Sequence, residues 1–169
     1  INMINKINKL PKSEFIKVFA NIFENAGWIA EELYNKKPFN NFEELSAKLI
    51  NIFAVATKEE QLKILNDHPD LANKTKIASL TPDSLKEQNS AGLNSCTEKE
   101  FNEFKKLNNS YKKFGFPFIL AVTGKTKTEI LNNFRKRISS DYDTEFREAI
   151  KQVIQIASLR LKELNNKNF

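Results

Sequence analysis

The sequence predicts an all-α fold, a single-domain bundle of about eight helices with mixed crossing angles. Apolar residues recur at helical spacing through most of the 169 residues, and Thr-x-x-Glu stands before three of the helical stretches. Four glycines and five prolines are too few for the many turns of a sandwich or a barrel. Because there is no repeat, linker or break in composition, we place residues 1–169 in one domain.

The region before Thr57 contains three apolar stripes. In each stripe the apolar residues stand one, three or four apart, which places them on one broad face of a helix. The first stripe follows Pro11 and Ser13, and the second ends before Pro38. The three sets are Phe15, Phe19, Ile22 and Phe23; then Trp28, Ile29 and Leu33; then Phe42, Leu45, Leu49, Ile52 and Phe53.

Five further helices follow, four of them predicted from their start signals. Thr57-x-x-Glu60, Thr97-x-x-Glu100 and Thr126-x-x-Glu129 are capping boxes, in which threonine and glutamate each satisfy an amide of the first turn. Thr81-Pro82 places proline at the first helical position, where no N–H is needed. The last helix, from about Thr144 to Leu164, has the stripe Phe146, Ile150, Val153, Ile154, Ala157 and Leu161.

Two segments are not predicted to be helical. The first, Asn66 to Ala78, contains His68-Pro69-Asp70. The second, Phe114 to Gly124, is strongly apolar and contains glycine near one end and at the other. If the second is buried, its backbone amides and carbonyls must bond to side chains, water or a ligand.

The net charge of +6 leaves two interpretations open. A basic surface can bind nucleic acid or an acidic membrane. However, the lysines are scattered, and the densest clusters, Lys105-Lys106, Lys112-Lys113 and Arg135-Lys136-Arg137, are only two or three residues long. We therefore favour a solvated basic face and expect no nucleic-acid partner.

The single cysteine and the absence of an apolar span indicate a cytoplasmic protein. Cys96 alone cannot form an intramolecular disulfide or a cysteine-based zinc cluster, which favours a reducing compartment. No apolar run approaches the roughly 20 residues of a membrane span, and Ile1 to Leu10 lacks a signal core. The sequence also lacks a phosphate loop, a dinucleotide fingerprint and a nucleophile elbow.

His68 is the first candidate for chemistry because it is the only histidine, and histidine titrates near neutrality. Pro69 stiffens the chain behind it, which suits a catalytic acid or base. Alternatively, His68 caps the preceding helix, where its charge interacts favourably with the helix dipole.

Three other features are candidates, each with a plain structural alternative. Ser84 and Glu87 share a helix face and would lie near a histidine or simply in solvent. Arg160, beside a core-facing stripe, would hold an anion or a carbonyl, or would extend its stem along the core into water. Backbone N–H groups from Phe114 to Ile119 would bind carbonyls, or the segment is a core loop.

In combination, these features resemble the 2-oxo-4-hydroxy-4-carboxy-5-ureidoimidazoline (OHCU) decarboxylase family. The similar stretches cover most of the chain, and their joint occurrence is highly specific. They are Ala26-Gly-Trp28-Ile-Ala30, His68-Pro-Asp-Leu-Ala72, Ser84-Leu-Lys-Glu87-Gln88-Asn-Ser-Ala91-Gly92-Leu93, Leu107-Asn108 with Tyr111, Phe114-Gly-Phe-Pro-Phe-Ile119, and Ile156-Ala157-Ser-Leu-Arg160-Leu161.

The resemblance implies an all-helical fold, a homodimer, and no metal or organic cofactor. It implies His68 and Glu87 as catalytic residues. The substrate-binding positions that it implies are Pro69, Ser84, Gln88, Phe116, Phe118, Ile119 and Arg160. The chain departs from the family at Asn73, where glycine is common, and between His68 and Glu87, which are about one residue closer than usual.

The implied reaction is decarboxylation of OHCU to (S)-allantoin and CO2 in urate breakdown. The substrate's ring imine accepts the electrons that CO2 leaves behind, so that no cofactor is required. Three alternatives remain open: an enzyme for a related ureide or hydroxy acid, a helical binding module with an acidic or nucleic-acid partner, and a purely structural protein. The last leaves the joint presence of His68, Glu87 and Arg160 unexplained.

Overall fold

The computed structural model describes residues 3–73 and 80–167, which form nine α-helices and no strand. This confirms the predicted all-α class and the count of about eight. The helices are α1 Met3–Lys9, α2 Lys12–Phe19, α3 Gly27–Tyr34, α4 Phe42–Ala54, α5 Lys58–Asp67, α6 Pro82–Ser90, α7 Glu98–Tyr111, α8 Lys127–Arg137 and α9 Tyr142–Asn165. None of the helices in these ranges is long and apolar enough to span a membrane.

The chain groups into two compact units. Unit 1 comprises residues 1–64 and 154–169, and unit 2 comprises residues 65–153. Helix α9 begins in unit 2 and ends in unit 1. The assignment of all 169 residues to one domain stays a prediction.

Helix α1 was not predicted from the sequence. Ile4 and Ile7 stand one helical turn apart, and both are buried. Asn8 adds a two-way clamp: its Nδ2 donates to the carbonyl of Phe39 and its Oδ1 accepts from the Phe39 amide, each at 2.8 Å. These tertiary contacts stabilise a seven-residue helix that is too short to form on its own.

The core of unit 1 is rich in phenylalanine, as the stripes predict. Phe15 and Phe19 have ring centroids 4.7 Å apart, and those of Phe23 and Phe53 are 4.9 Å apart. Helix α2 ends at Phe19, before the end of its predicted stripe, but Phe23 stays buried in the turn that follows. The burial predicted by periodicity therefore extends beyond the helix itself.

The core of unit 2 surrounds Tyr111 at the end of α7. The Tyr111 ring packs edge-on against Phe118 and Phe134, with centroids 5.5 Å and 5.9 Å away. Phe118 in turn stacks on Phe134 with centroids 3.8 Å apart. This aromatic cluster lies beside the second segment predicted to be non-helical.

The helix-start signals are confirmed. Thr57, Thr97 and Thr126 each accept the amide of the glutamate three residues on, and each glutamate accepts the threonine amide in return, at 2.8–3.2 Å. Thr81 caps α6 and accepts the Ser84 amide at 3.2 Å, with Pro82 at the first position. Local sequence alone therefore places the starts of α5, α6, α7 and α8.

We predict that Thr126→Ala destabilises the protein by about 1 kcal/mol, because the Glu129 amide loses its acceptor at the start of α8. Thr128→Ala is the matched control, since Thr128 is an exposed threonine of the same helix. Denaturant unfolding followed by circular dichroism measures both. Equal stability of the two variants would contradict this role for Thr126.

A second prediction concerns acid. Backbone hydrogen bonds from Thr97, Thr126 and Thr144 hold the pKa values of Glu100, Glu129 and Asp141 below their ordinary values of 4.5, 4.5 and 3.8. A carboxyl with a lowered pKa binds fewer protons in the folded state, so its contribution is present above the ordinary pKa and is lost as pH falls below it.

The melting temperature should therefore fall as the pH drops below about 4.5, where these carboxylates become protonated. Glu129→Gln should lose part of its stability at neutral pH and show a shallower decline on acidification. Melting curves from about pH 7 to about pH 3 test this, because that range brackets the ordinary carboxyl pKa values. An unchanged decline in Glu129→Gln would show that this cap does not contribute to the acid sensitivity.

Candidate active site

His68 immediately follows α5, at the start of a turn that we name the histidine turn, residues 68–73. Its backbone N–H donates to the Leu65 carbonyl at 3.2 Å and closes the last turn of the helix. The residue is buried, with 9% of its surface exposed. Of the stretch predicted to be non-helical, residues 68–73 are confirmed, whereas Asn66 and Asp67 belong to the last turn of α5 and correct the predicted start. The rest of the stretch, residues 74–78, lies outside the described residues.

Two side chains hold the backbone of the histidine turn. Gln88 of α6 accepts the Ala72 amide at 3.1 Å through Oε1 and donates to the Asp70 carbonyl at 3.3 Å through Nε2. Asn108 of α7 donates to the Leu71 carbonyl at 3.0 Å. Three consecutive residues after Pro69 are therefore fixed from two helices. Ala72 adopts the left-handed conformation, with φ of 55°.

Helix α6 carries the predicted Ser84, Glu87 and Gln88 on one face. Ser84 and Gln88 are buried, with 5% and 6% of their surfaces exposed, and Glu87 is half-buried. The alternative of a wholly solvated helix face is therefore wrong for the first two. Gln88 uses one of its two amide hydrogens and one lone pair on the histidine turn, and its substrate-binding role stays a prediction.

The stretch from Phe114 to Gly124, which we name the extended segment, leaves helical structure after a short 3-10 turn at Lys112–Phe114. Phe116, Phe118 and Ile119 are 3%, 1% and 2% exposed, so the segment is buried. Side chains satisfy part of its backbone, as predicted. Arg137 Nη1 donates to the Ile119 carbonyl at 2.5 Å, and Gln152 Oε1 accepts the Ala121 amide at 2.9 Å.

Other backbone donors of the extended segment lack a protein acceptor. Within the described ranges, no protein acceptor pairs with the N–H groups of Phe118, Ile119 and Leu120. Buried N–H groups rarely stay unpaired, so these three call for water or a ligand. The backbone binding site around Phe118 and Ile119 stays a prediction, and the side chains of these two residues belong to the core.

Arg137 corrects one interpretation of the sequence. Its cluster with Arg135 and Lys136 was assigned to a solvated basic face, but Arg137 is only 7% exposed. Its Nε donates to Glu145 Oε1 at 2.7 Å, and Nη2 lies 2.6 Å from the same oxygen, too oblique for a hydrogen bond. The signal was present: Arg137 stands three residues after the buried Phe134, on the apolar stripe of α8.

Tyr111 completes this buried polar cluster by donating its hydroxyl to Glu145 Oε1. Burial, followed by the bond to Glu145, raises the pKa of the Tyr111 phenol well above its ordinary value. The phenol therefore stays protonated and remains a hydrogen-bond donor at any physiological pH.

Arg160 lies in unit 1, where its guanidinium is buried and its side chain is 4% exposed. Nη1 donates to Glu24 Oε2 and to the Asn21 carbonyl, each at 2.9 Å. The alternative of a stem that extends into water is therefore wrong. The substrate-binding role of Arg160 stays a prediction.

A cleft of about 470 Å³ in unit 2 brings some of the predicted residues together. Its lining is Asn66, Asp67, His68, Pro69, Asp70, Asn108, Lys112, Gly115, Phe116 and Pro117. The cleft thus joins the histidine turn to the start of the extended segment. Asn108 and Lys112 were not predicted as site residues, although Asn108 lies in a stretch that carries the resemblance. Across residues 3–73 and 80–167, no three His, Cys, Asp or Glu side chains are grouped to hold a metal ion.

Comparison with known proteins identifies the family of this chain. The sequence profile for OHCU decarboxylase matches residues 8–162. The chain is 40% identical over 162 residues to a uric acid degradation bifunctional protein of Bacillus sp. (strain TB-90), covering 95% of this chain and 32% of that protein. It is 35% identical to the 2-oxo-4-hydroxy-4-carboxy-5-ureidoimidazoline decarboxylase of Haloferax volcanii, covering 95% of this chain and 94% of that one.

Solved structures agree on the fold. A crystal structure of (S)-allantoin synthase superposes with a TM-score of 0.76 at 27% identity, covering 97% of this chain and 54% of that chain. An OHCU decarboxylase crystallised with (S)-allantoin gives a TM-score of 0.72 at 22% identity, covering 89% and 99%. This chain spans about a third of the bifunctional relative and about half of the allantoin synthase chain.

The similarities in sequence and in fold agree with each other and define one protein family. The chain belongs to the OHCU decarboxylase family, as its motifs predicted.

We predict that Asn108→Asp destabilises the protein by about 1–3 kcal/mol, because a carboxylate cannot donate to the Leu71 carbonyl and would oppose it. Asn109→Asp is the matched control, since it adds the same charge at the exposed neighbouring position. Denaturant unfolding of both variants measures the difference. Equal losses would mean that the bond to Leu71 contributes nothing beyond a general charge effect.

Proposed function

We propose that this chain decarboxylates OHCU to (S)-allantoin and CO2 in urate breakdown. The proposal is supported above all by the position of His68, the chain's only histidine, on a clamped turn that lines a cleft with Phe116. A cleft of about 470 Å³ falls within the usual size range of small-molecule sites.

The substrate's own structure supplies the electron sink. The bond between C4 and the carboxylate breaks, and its electron pair forms a C4–C5 double bond as the ring imine nitrogen takes up a proton. The resulting enol then loses the proton of its 4-hydroxyl and gains one at C5, which becomes the S centre. The protein has to orient the ring, stabilise the developing charge and deliver a proton to one face, so we expect no metal or organic cofactor.

His68, oriented by Glu87, is assigned the proton of the 4-hydroxyl or the proton delivered to C5. The clamps from Gln88 and Asn108 support this role, because a proton-transfer group must be held at hydrogen-bond distance from its target. Pro69 and Ser84 are assigned to further contacts with the substrate. Lys112, also on the cleft, adds a cation that favours capture of an anionic substrate.

Arg160 and the N–H groups of Phe118 and Ile119 are assigned to carbonyl oxygens of the ring or the ureido arm. Glu24 supports this for Arg160, because its carboxylate, 2.9 Å from Nη1, offsets the cationic charge. Such an arginine is less suited to holding the leaving carboxylate, which would stabilise the ground state more than the transition state. An apolar surface such as Phe116 suits the departing group better.

We further propose that the protein is a cytoplasmic homodimer without a nucleic-acid partner. The dimer rests on the family resemblance alone, and the compartment rests on the single cysteine. Sedimentation at several protein concentrations tests the dimer. The absence of a nucleic-acid partner would be supported if turnover did not depend on salt and if the protein did not bind a DNA duplex at moderate salt.

We predict that the wild-type protein converts freshly generated OHCU to optically active (S)-allantoin, and that His68→Asn lowers kcat by roughly 10²- to 10⁴-fold. The substrate is made in place from urate by the two enzymes that act before this step. Ultraviolet absorbance and circular dichroism follow the reaction. The control, Thr128→Ala, changes an exposed residue that contributes nothing to the cleft and should retain wild-type turnover.

Two results would contradict the proposal in different ways. Racemic allantoin at the spontaneous rate in the wild type would mean that the fold acts on another ureide or binds without catalysis. Near-normal turnover in His68→Asn would exclude the acid–base role and move the chemistry elsewhere in the site.

A further inference from the structure

Three polar side chains form a closed cluster inside unit 2, apart from the residues assigned above. Arg137, Glu145 and Tyr111 are 7%, 1% and 1% exposed, and both Arg137 and Tyr111 donate to Glu145 Oε1. They come from the end of α8, the start of α9 and the end of α7. The cluster therefore links α7, α8 and the start of α9.

Arg137 extends this cluster to the extended segment at two points. Its Nη1 donates to the Ile119 carbonyl at 2.5 Å. Its guanidinium carbon lies 4.4 Å from the centre of the Phe118 ring, whose centroid is 3.8 Å from that of Phe134. Arg137 thus contacts the backbone of Ile119 and the ring of Phe118, two neighbouring residues that are proposed to bind the substrate.

We propose that Arg137 is a positioning residue for the decarboxylation, holding the backbone N–H groups of the extended segment in the geometry that binds the substrate's carbonyl oxygen. This rests on the proposed function. Glu145 and Tyr111 position Arg137 in turn. None of the three touches substrate in this proposal, and each acts through the Ile119 carbonyl.

The peptide between Ile119 and Leu120 explains why a cation is suited to this place. Its carbonyl accepts from Arg137, and its N–H, that of Leu120, has no acceptor among the described residues. A charged donor on a carbonyl polarises the whole peptide, which makes the N–H of the same peptide a stronger donor. Arg137 therefore both fixes and strengthens a donor that faces no protein partner.

Stability alone does not account for the cluster. A buried ion pair is often no more stabilising than apolar residues of the same volume, because both charges lose their hydration. Its advantage is direction, since a guanidinium held by Glu145 can present Nη1 along only one line. A fixed direction matters for backbone that binds a substrate, because misplacement by about 1 Å can lower the rate as much as a hundredfold.

The test compares Arg137→Lys with the wild type in the OHCU assay, with the spontaneous rate subtracted. Lysine keeps the charge but cannot bond to Glu145 and Ile119 with the same fixed fork. We expect kcat/KM to fall roughly tenfold to a hundredfold, chiefly through kcat. The enantiomeric excess of allantoin should fall as well, because a loosely held ring can be protonated on either face.

Asn8→Ala is the control for a purely structural effect. Asn8 also clamps buried backbone, that of Phe39, but this segment carries none of the proposed site residues. It should lower the melting temperature while leaving kcat, KM and enantiomeric excess unchanged below the melting range. Hydrogen exchange should accelerate at residues 114–124 in Arg137→Lys and not in Asn8→Ala.

If Arg137→Lys folds and has the kinetics, enantiomeric excess and hydrogen exchange of the wild type, the positioning role alone is overturned. If the wild type itself shows no turnover, the proposed function is overturned. If Arg137→Lys does not fold, Tyr111→Phe decides, because it removes only the hydroxyl bond to Glu145. It should lose about twofold to tenfold in kcat/KM, with a lowered enantiomeric excess. Unchanged values would overturn the proposal.

Discussion

Buried backbone outside helices must find hydrogen-bond partners, and this requirement determines how unit 2 is built around its cleft. The histidine turn and the extended segment both lie between helices, so neither can use helix bonds. Gln88 and Asn108 bond to the backbone of the first, and Arg137 and Gln152 satisfy part of the backbone of the second. Within the described residues, the N–H groups of Phe118 and Ile119, two positions that the family resemblance assigns to the substrate, have no protein acceptor.

The sequence predicted those parts of the fold that depend on local chemistry. Capping boxes act within four residues, so Thr97 with Glu100 and Thr126 with Glu129 could be identified without a structure, and both are present. Helix α1 was missed because its stability comes from the clamp between Asn8 and Phe39, 31 residues away. Periodicity predicts burial, but it does not reveal which distant backbone a polar side chain will hold.

The same distinction separates the predicted from the unpredicted parts of the site. His68 was identifiable from its rarity and its proline neighbour, and it lines the cleft. Arg137 carries the same kind of signal as Arg160, an arginine on an apolar stripe, yet its position in a basic cluster hid it. Whether a charge is solvated depends on a partner such as Glu145, eight residues away on the next helix, which composition cannot show.

Chemistry without a cofactor places its demands on geometry. If the substrate supplies its own electron sink, the protein contributes position, hydrogen-bond donors and one well-directed proton. Loops usually supply such groups with poor precision, because they are the mobile parts of a fold. Here side chains of helices form hydrogen bonds to the backbone of both non-helical segments. Gln88 of α6, for example, bonds to the backbone of Asp70 and Ala72. A helical scaffold can therefore present non-helical backbone to a substrate with the precision of a helix.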